Sequence, residues 1–288
     1  MRDDRIAAFW EALEGGAVSC ALCPHGCKIS PGLSGLCGVR RNDGGALTAA
    51  GYGLVSSAAL DPIEKKPLAR YKPGAFVLSV GGIGCNMRCP YCQNSAISME
   101  YNPQNTQALP PEGFARLAVK YKPQGNIGAA YTYNEPFINY EYLLDCAALV
   151  KEVGLDNVVV TNGFINPEPF ERILPYIDAI NIDLKGFTED FYKKLGGSLE
   201  PVKKTIATAA KRCHVEIAAL IILGENENDA EALADWLASI DPAIPLHLNR
   251  FFPRYKYAGR EPTPRETILR LAEMARGRLK YVYAGNMG

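Results

Sequence analysis

Three cysteines recur at Cys85, Cys89 and Cys92, inside the run Gly81-Gly82-Ile83-Gly84-Cys85-Asn86-Met87-Arg88-Cys89-Pro90-Tyr91-Cys92-Gln93-Asn94. Thiolates spaced Cys-x3-Cys-x2-Cys can wrap one face of a four-iron cubane, each on a different iron. Glycines ahead of them let the backbone approach a bulky inorganic core without a clashing Cβ. The fourth iron receives no cysteine from this motif and is left open to another ligand. Structural zinc takes four ligands in a closed tetrahedron, and this loop offers three, so ligand type and count favour the cluster.

A second group, Cys20-x2-Cys23-x3-Cys27-x9-Cys37, offers four thiolates with His25 among them. Closed four-sulfur coordination suits structural zinc or an auxiliary iron–sulfur cluster, and spacing alone leaves both open. Cys146 and Cys213 stand singly amid helix or strand pattern and read as small buried hydrophobes.

The elements that must position these groups alternate. Short β-rich runs lie at 76–80, 127–133, 157–162, 179–184, 215–223 and 246–251. Between them the apolar residues recur at helical spacing over 112–121, 140–153, 167–176, 201–212, 229–240 and 264–279. Strand–helix pairs in strict order imply a parallel sheet. The six units fall short of the eight that close a full barrel. No Gly-rich phosphate loop opens a helix directly after the first strand, which weakens a dinucleotide-binding reading. The expected fold class is therefore α/β, a partial (β/α)6 TIM-type barrel with its ligand site at the carboxyl ends of the strands. Residues 71–288 form that barrel in this reading, and residues 1–70 a small Cys-rich N-terminal cap. Within the cap, Ile6 to Leu13 reads as a short amphipathic helix stopped at Gly15-Gly16, and Gly44–Ala59 as a small hairpin.

Lys+Arg and Asp+Glu are equal at 31 each, which argues against an extended nucleic-acid or membrane footprint. No apolar run approaches the roughly 20 residues that span a bilayer. The N-terminus lacks the apolar core and cleavage site of a signal peptide, so the expected location is cytoplasmic. Nine cysteines in such a compartment call for metal before disulfides.

The stretch GCNMRCPYCQN resembles the glycyl-radical-activase-like branch of the radical S-adenosylmethionine (radical SAM) superfamily, whose signature places an aromatic, here Tyr91, before the last cysteine. With CALCPHGC, DPIEKKPL (Asp61–Leu68), YTYNEP, DLKGF and HLNRFFP, the chain from about Cys20 onward is similar to AmmeMemoRadiSam system radical SAM enzymes. That subfamily often carries a further Cys-x2-Cys near its C-terminus, which is not found here before Asn286-Met287-Gly288.

The resemblance implies a [4Fe–4S] cluster on Cys85, Cys89 and Cys92, whose open iron chelates the methionine part of SAM. Electron transfer from a flavodoxin or ferredoxin-type reductant would then yield a 5′-deoxyadenosyl radical that acts on a substrate, in one reading a protein or other macromolecule, with a Memo-like partner. It implies cofactor contacts from Asn134 and Glu135, although the glycines usual at that position are missing and the match is positional. Thr161, Asn162, Asp183 and Lys185 are expected to line the same pocket, with His247 and Asn249 at its mouth and Tyr91 near adenine. The bland alternatives are a helix cap before Pro136, a buried Asp–Lys pair, a satisfied structural histidine and a hydrophobic plug. Lys65 and Lys66 read as a solvated face that could also meet substrate. Two other functions compete: a glycyl-radical enzyme activase of the pyruvate formate-lyase type, and a non-catalytic iron–sulfur carrier or scaffold.

Overall fold

The computed structural model describes residues 5–100 and 102–288. Over Ile6–Leu13 no helix forms. Trp10–Ala12 is strand β1, antiparallel to β2 (Val18–Cys20), which pairs in turn with β3 (Lys28–Ile29). Gly15 and Gly16, at φ 68° and 75°, bend the chain between β1 and β2 rather than ending a helix. So short a helix is marginal on its own, and strand pairing displaces it. The expected hairpin is also displaced. It is formed by β4 (Arg40–Asp43) and β5 (Ala46–Ala49), with Gly44 and Gly45 at φ 65° and 93° as the two-residue loop.

The remainder of that Gly/Ala-rich stretch leaves for the main sheet. There β6 (Ser57–Pro62) lies antiparallel on β7 (Phe76–Gly81) as an edge strand. Beyond β7 come β8 (Asn126–Tyr131), β9 (Asp156–Thr161), β10 (Ala179–Asp183), β11 (His214–Ile221), β12 (Leu246–Arg250) and β13 (Val282–Gly285). They follow in chain order and every pair from β7 onward is parallel. The helices between them are α1 (Pro111–Lys120), α2 (Tyr140–Glu152), α3 (Pro167–Ile173), α4 (Glu189–Lys194), α5 (Leu199–Ala209), α6 (Ala230–Ile240) and α7 (Arg265–Arg276). This is the partial TIM-type barrel, with a seventh parallel strand and one antiparallel edge beyond the six expected units.

Burial explains why the pattern was readable. Val77 to Val80 are all buried, because a strand in a helix-covered parallel sheet has no solvent face. On α7, Ile268, Leu271, Ala272 and Ala275 form the buried stripe at i, i+3, i+4 and i+7. Cys146 is buried in α2 as expected, whereas Cys213 is only half-buried, because it sits on the turn before β11. No helix among the described residues is long and apolar enough to cross a membrane.

The two adjacent lysines part company. Lys65 stays exposed, but Lys66 is buried, with Nζ 2.8 Å from Asp61 Oδ2 and over the Tyr133 ring at 4.6 Å. The solvated-face reading fails for Lys66 because Asp61 supplies the counter-charge that lets an ammonium leave water.

Candidate active site

The loop leaving β7 carries Cys85, Cys89 and Cys92. Asn134, just after β8, clamps its start. Its Oδ1 accepts from Gly82 N at 3.0 Å, and its Nδ2 donates to the Ile83 and Gly84 carbonyls at 3.1 and 3.0 Å. Arg88 closes the loop on itself by donating to the Cys85 and Met87 carbonyls, at 2.7 and 2.9 Å, and ties it outward to the Leu36 carbonyl. Gly84 is at φ 81°, and a Cβ there would sit 2.4 Å from the Cys37 carbonyl oxygen, so glycine is required.

Burial, with Glu135 nearby, pushes the Cys85 thiol up to about 12, and burial pushes Cys89 up to about 11. Such thiols ionise by exchanging the proton for a metal. Three thiols from one glycine-lined loop, with the Asn162 amide 3.8 Å from Cys85 Sγ as a donor to sulfur, fit a four-iron cluster with one iron left open.

Facing this loop is a carboxylate held by the neighbouring strand ends. Glu135 follows β8 and is buried. It accepts from Thr161 Oγ1 at 2.8 and 2.9 Å, from Asn162 N at 2.8 Å and from Phe137 N at 3.0 Å. Burial nevertheless pushes its carboxyl up to about 7, the donors and the nearby Lys185 only moderating the rise. A buried carboxyl poised there gains most from a cation placed beside it. The bond to Phe137 N is also the expected cap before Pro136, so both readings of this residue describe one side chain. Asn162 continues the network, donating to Asn86 Oδ1 at 2.9 Å. On the next strand end Lys185 Nζ pairs with Asp183 Oδ2 at 2.7 Å. Burial opposes the lysine charge, but the paired Asp183 carboxylate outweighs it and holds Lys185 protonated.

The structure thus brings together Cys85, Cys89, Asn134, Glu135, Thr161, Asn162, Asp183 and Lys185. Tyr91 is buried beside Tyr257, ring centroids 5.9 Å apart. His247 is engaged elsewhere: its Nε2 lies 2.7 Å from Glu216 Oε2, and its ring stacks on Tyr283. Glu216 in turn accepts from the Ala69 and Arg70 amides at 2.9 and 2.7 Å, which pins the segment after Lys66 to the sheet. Asn249 packs against Gly285, where a Cβ would meet its Oδ1 at 1.9 Å.

Sequence reasoning passed over Asn86, which the motif hides in plain view beside Cys85. It also passed over Tyr133, a non-glycine residue at φ 70° whose hydroxyl donates to Asp61 Oδ2 at 2.5 Å. Its position directly before Asn134 in the YTYNEP segment was the available signal.

Comparison with known proteins agrees with this geometry. The family model of the radical SAM superfamily matches residues 80–237. An uncharacterized protein of Methanocaldococcus jannaschii, MJ0808, is 41% identical over 98% of this chain and 85% of its own length. The pyruvate formate-lyase-activating enzyme of Clostridium pasteurianum is 28% identical over 40% of this chain and 48% of its own. Among solved structures, QueE of Escherichia coli superposes with a TM-score of 0.52 at 15% identity, over 81% of this chain and 93% of that one. SuiB of Streptococcus suis, solved bound to S-adenosylmethionine, gives 0.54 at 16% identity, over 71% and 48%.

Proposed function

The chain belongs to the radical SAM superfamily, and from that premise we propose that it is an enzyme that reductively cleaves S-adenosylmethionine. Its three loop thiols, Cys85, Cys89 and Cys92, would hold the [4Fe–4S] cluster. When bound, that cluster supplies the open iron and the single electron from which a 5′-deoxyadenosyl radical arises. The chain's own residues hold and orient the cofactor. Glu135, buried and carrying a carboxyl raised to about 7, would accept from the methionine amino group. Lys185, held protonated by Asp183, is the matching cation for the methionine carboxylate. Thr161 and Asn162 fix the Glu135 carboxylate, and Asn134 fixes the loop on which the cysteines sit.

The observation that carries this reading is the pairing of a three-thiol loop with an oriented, buried carboxylate on the adjacent strand ends. The motif series supports the AmmeMemoRadiSam branch, with a flavodoxin or ferredoxin-type donor and a macromolecular substrate. The activase relative supports a second reading, hydrogen abstraction from a backbone glycine of a partner.

The test is anaerobic reconstitution with iron and sulfide, addition of SAM and dithionite, and chromatographic measurement of 5′-deoxyadenosine. Product from the wild type and none from Cys85→Ala, Cys89→Ala or Cys92→Ala is expected. No product from wild-type protein that holds a four-iron cluster would overturn the proposal.

A further inference from the structure

Four cysteines that the proposed radical chemistry does not use lie directly behind the loop of Cys85. Cys20 ends β2, Cys23 and Cys27 stand on the bend between β2 and β3, and Cys37 precedes β4. The bend is knotted by backbone bonds from Cys20 N to the Cys27 carbonyl, 2.9 Å, and from Gly26 N to the Cys23 carbonyl, 3.2 Å. All four side chains are free thiols, and all four line one small cavity. Leu22, Ile29 and Ile138 form its apolar wall, and Arg40 its charged edge.

Arg40 gives the second, independent observation. Its side chain is 2% exposed. One terminal nitrogen pairs with Glu141 at 3.0 and 3.1 Å and the other donates to the Ala8 carbonyl. The remaining donor, Nε–H, is buried without a partner. An orphaned buried donor costs about 1–3 kcal/mol, and proteins seldom leave one unanswered. Coordinated sulfur, negatively charged and an acceptor, is what a cavity walled by cysteines can offer it.

We propose that Cys20, Cys23, Cys27 and Cys37 ligate a second metal centre, closed by four thiolates, toward which Arg40 Nε–H donates. The shared chemistry is four-sulfur ligation, which both a single zinc and a four-iron cluster accept. Among the described residues no three His, Cys, Asp or Glu side chains are already placed to hold one ion, and this is as true of Cys85, Cys89 and Cys92 as of this group. Binding therefore draws the thiols in, as coupled metal uptake does elsewhere. The centre would abut the loop of Cys85 at three points. His25 Nε2 lies 2.7 Å from the Asn86 carbonyl oxygen, Arg88 reaches the Leu36 carbonyl, and Gly84 presses on Cys37. Unlike the loop site, it offers no vacant position, so it is not a second place for SAM.

The proposal stands apart from SAM cleavage, and its test does too. The triple variant Cys85→Ala, Cys89→Ala, Cys92→Ala is purified anaerobically, and zinc, iron and acid-labile sulfide are measured per chain. About one zinc without sulfide, or about four irons with about four sulfides, is expected to remain, and the sulfide distinguishes the two occupants. Alkylation followed by mass spectrometry then reads which thiols the metal covers, without requiring that N-terminal variants fold. Cys20, Cys23, Cys27 and Cys37 should resist labelling until a chelator strips the metal, and react afterwards. A folded triple variant free of zinc and iron overturns the proposal, and so does retained metal with those four thiols freely labelled.

Discussion

The two cysteine groups are built from the same ligand and surrounded by opposite environments. Behind the barrel loop, Cys20, Cys23, Cys27 and Cys37 face Leu22, Ile29 and Ile138, with His25, Asn86 and the Arg40 guanidinium as the polar residues of the same cavity. At the strand ends, Cys85 lies beside Glu135 and Asn162, and Cys89 beside the Asp183–Lys185 pair, with Cys92 on the same loop. Four sulfurs would saturate a metal and leave no coordination position for a further ligand. Three sulfurs beside oriented charges leave one coordination position and provide the groups that would orient whatever takes it. The difference teaches that the chemistry is set by what surrounds the thiols as much as by their spacing.

The sharpest way to break this contrast is to remove one sulfur from each side. Cys85→Ala should lower 5′-deoxyadenosine formation by about a thousandfold or more, because the loop ligands act as a unit. Cys27→Ser, measured in the same assay, should cost less than about tenfold, since it touches no group that faces the strand ends. Equal losses would erase the distinction.

The next largest effect concerns the seam between the groups. Gly84→Ala puts a Cβ 2.4 Å from the Cys37 carbonyl oxygen at a backbone φ of 81°. About 3 kcal/mol of destabilisation is expected in urea denaturation, combining left-handed strain with a backbone clash. A neutral result would mean that the loops do not press together.

Glu216 provides a reference far from either group of sulfurs. Burial alone would raise its carboxyl, but hydrogen bonds from His214 and His247 and from the Arg70 and Ala69 amides hold it down to about 2, against an ordinary 4.5. Its contribution is therefore complete above pH 4.5 and lost as the pH falls through about 2. Glu216→Gln should cost about 2 kcal/mol at neutral pH and flatten the acid limb of the stability curve. An unchanged acid limb would contradict the hydrogen-bond network.

Smaller still is Glu135→Gln, which keeps the shape and removes the charge offered to a methionine ammonium. A roughly tenfold weaker SAM dissociation constant by calorimetry is expected, about 1.4 kcal/mol. Unaltered affinity would take Glu135 out of the cofactor contacts. His25→Ala removes the 2.7 Å contact to the Asn86 carbonyl and should cost about 1 kcal/mol. A loss several times larger would make His25 part of the metal site itself.

Much of this was legible in the chain. The six expected strands survive with shifted ends because both faces of a parallel strand are apolar, and the helices because their stripes recur at 3.6 residues. What was not legible depends on partners distant in sequence. Ser57–Pro62 lacks an apolar run because it is an edge strand, recognisable only once β7 is beside it. Ile6–Leu13 has helical spacing, yet antiparallel pairing with β2 decides its conformation. Lys66 looks solvated until Asp61 and Tyr133 close around it. At the candidate site, the cysteine loop follows β7 and Glu135 follows β8, the strand-end positions where the sequence led one to look. That Asn134 clamps the glycine loop and His247 serves Glu216 is tertiary information that no local pattern carries.

The central claim is that the loop cluster has one iron open to SAM. It is tested most directly by the electron paramagnetic resonance spectrum of the dithionite-reduced, reconstituted protein, recorded with and without SAM. A SAM-dependent change in the signal, absent from the Cys85→Ala, Cys89→Ala, Cys92→Ala variant, is the predicted result. An identical spectrum in both conditions, from protein shown to carry a four-iron cluster on those cysteines, would contradict it and leave a closed electron carrier.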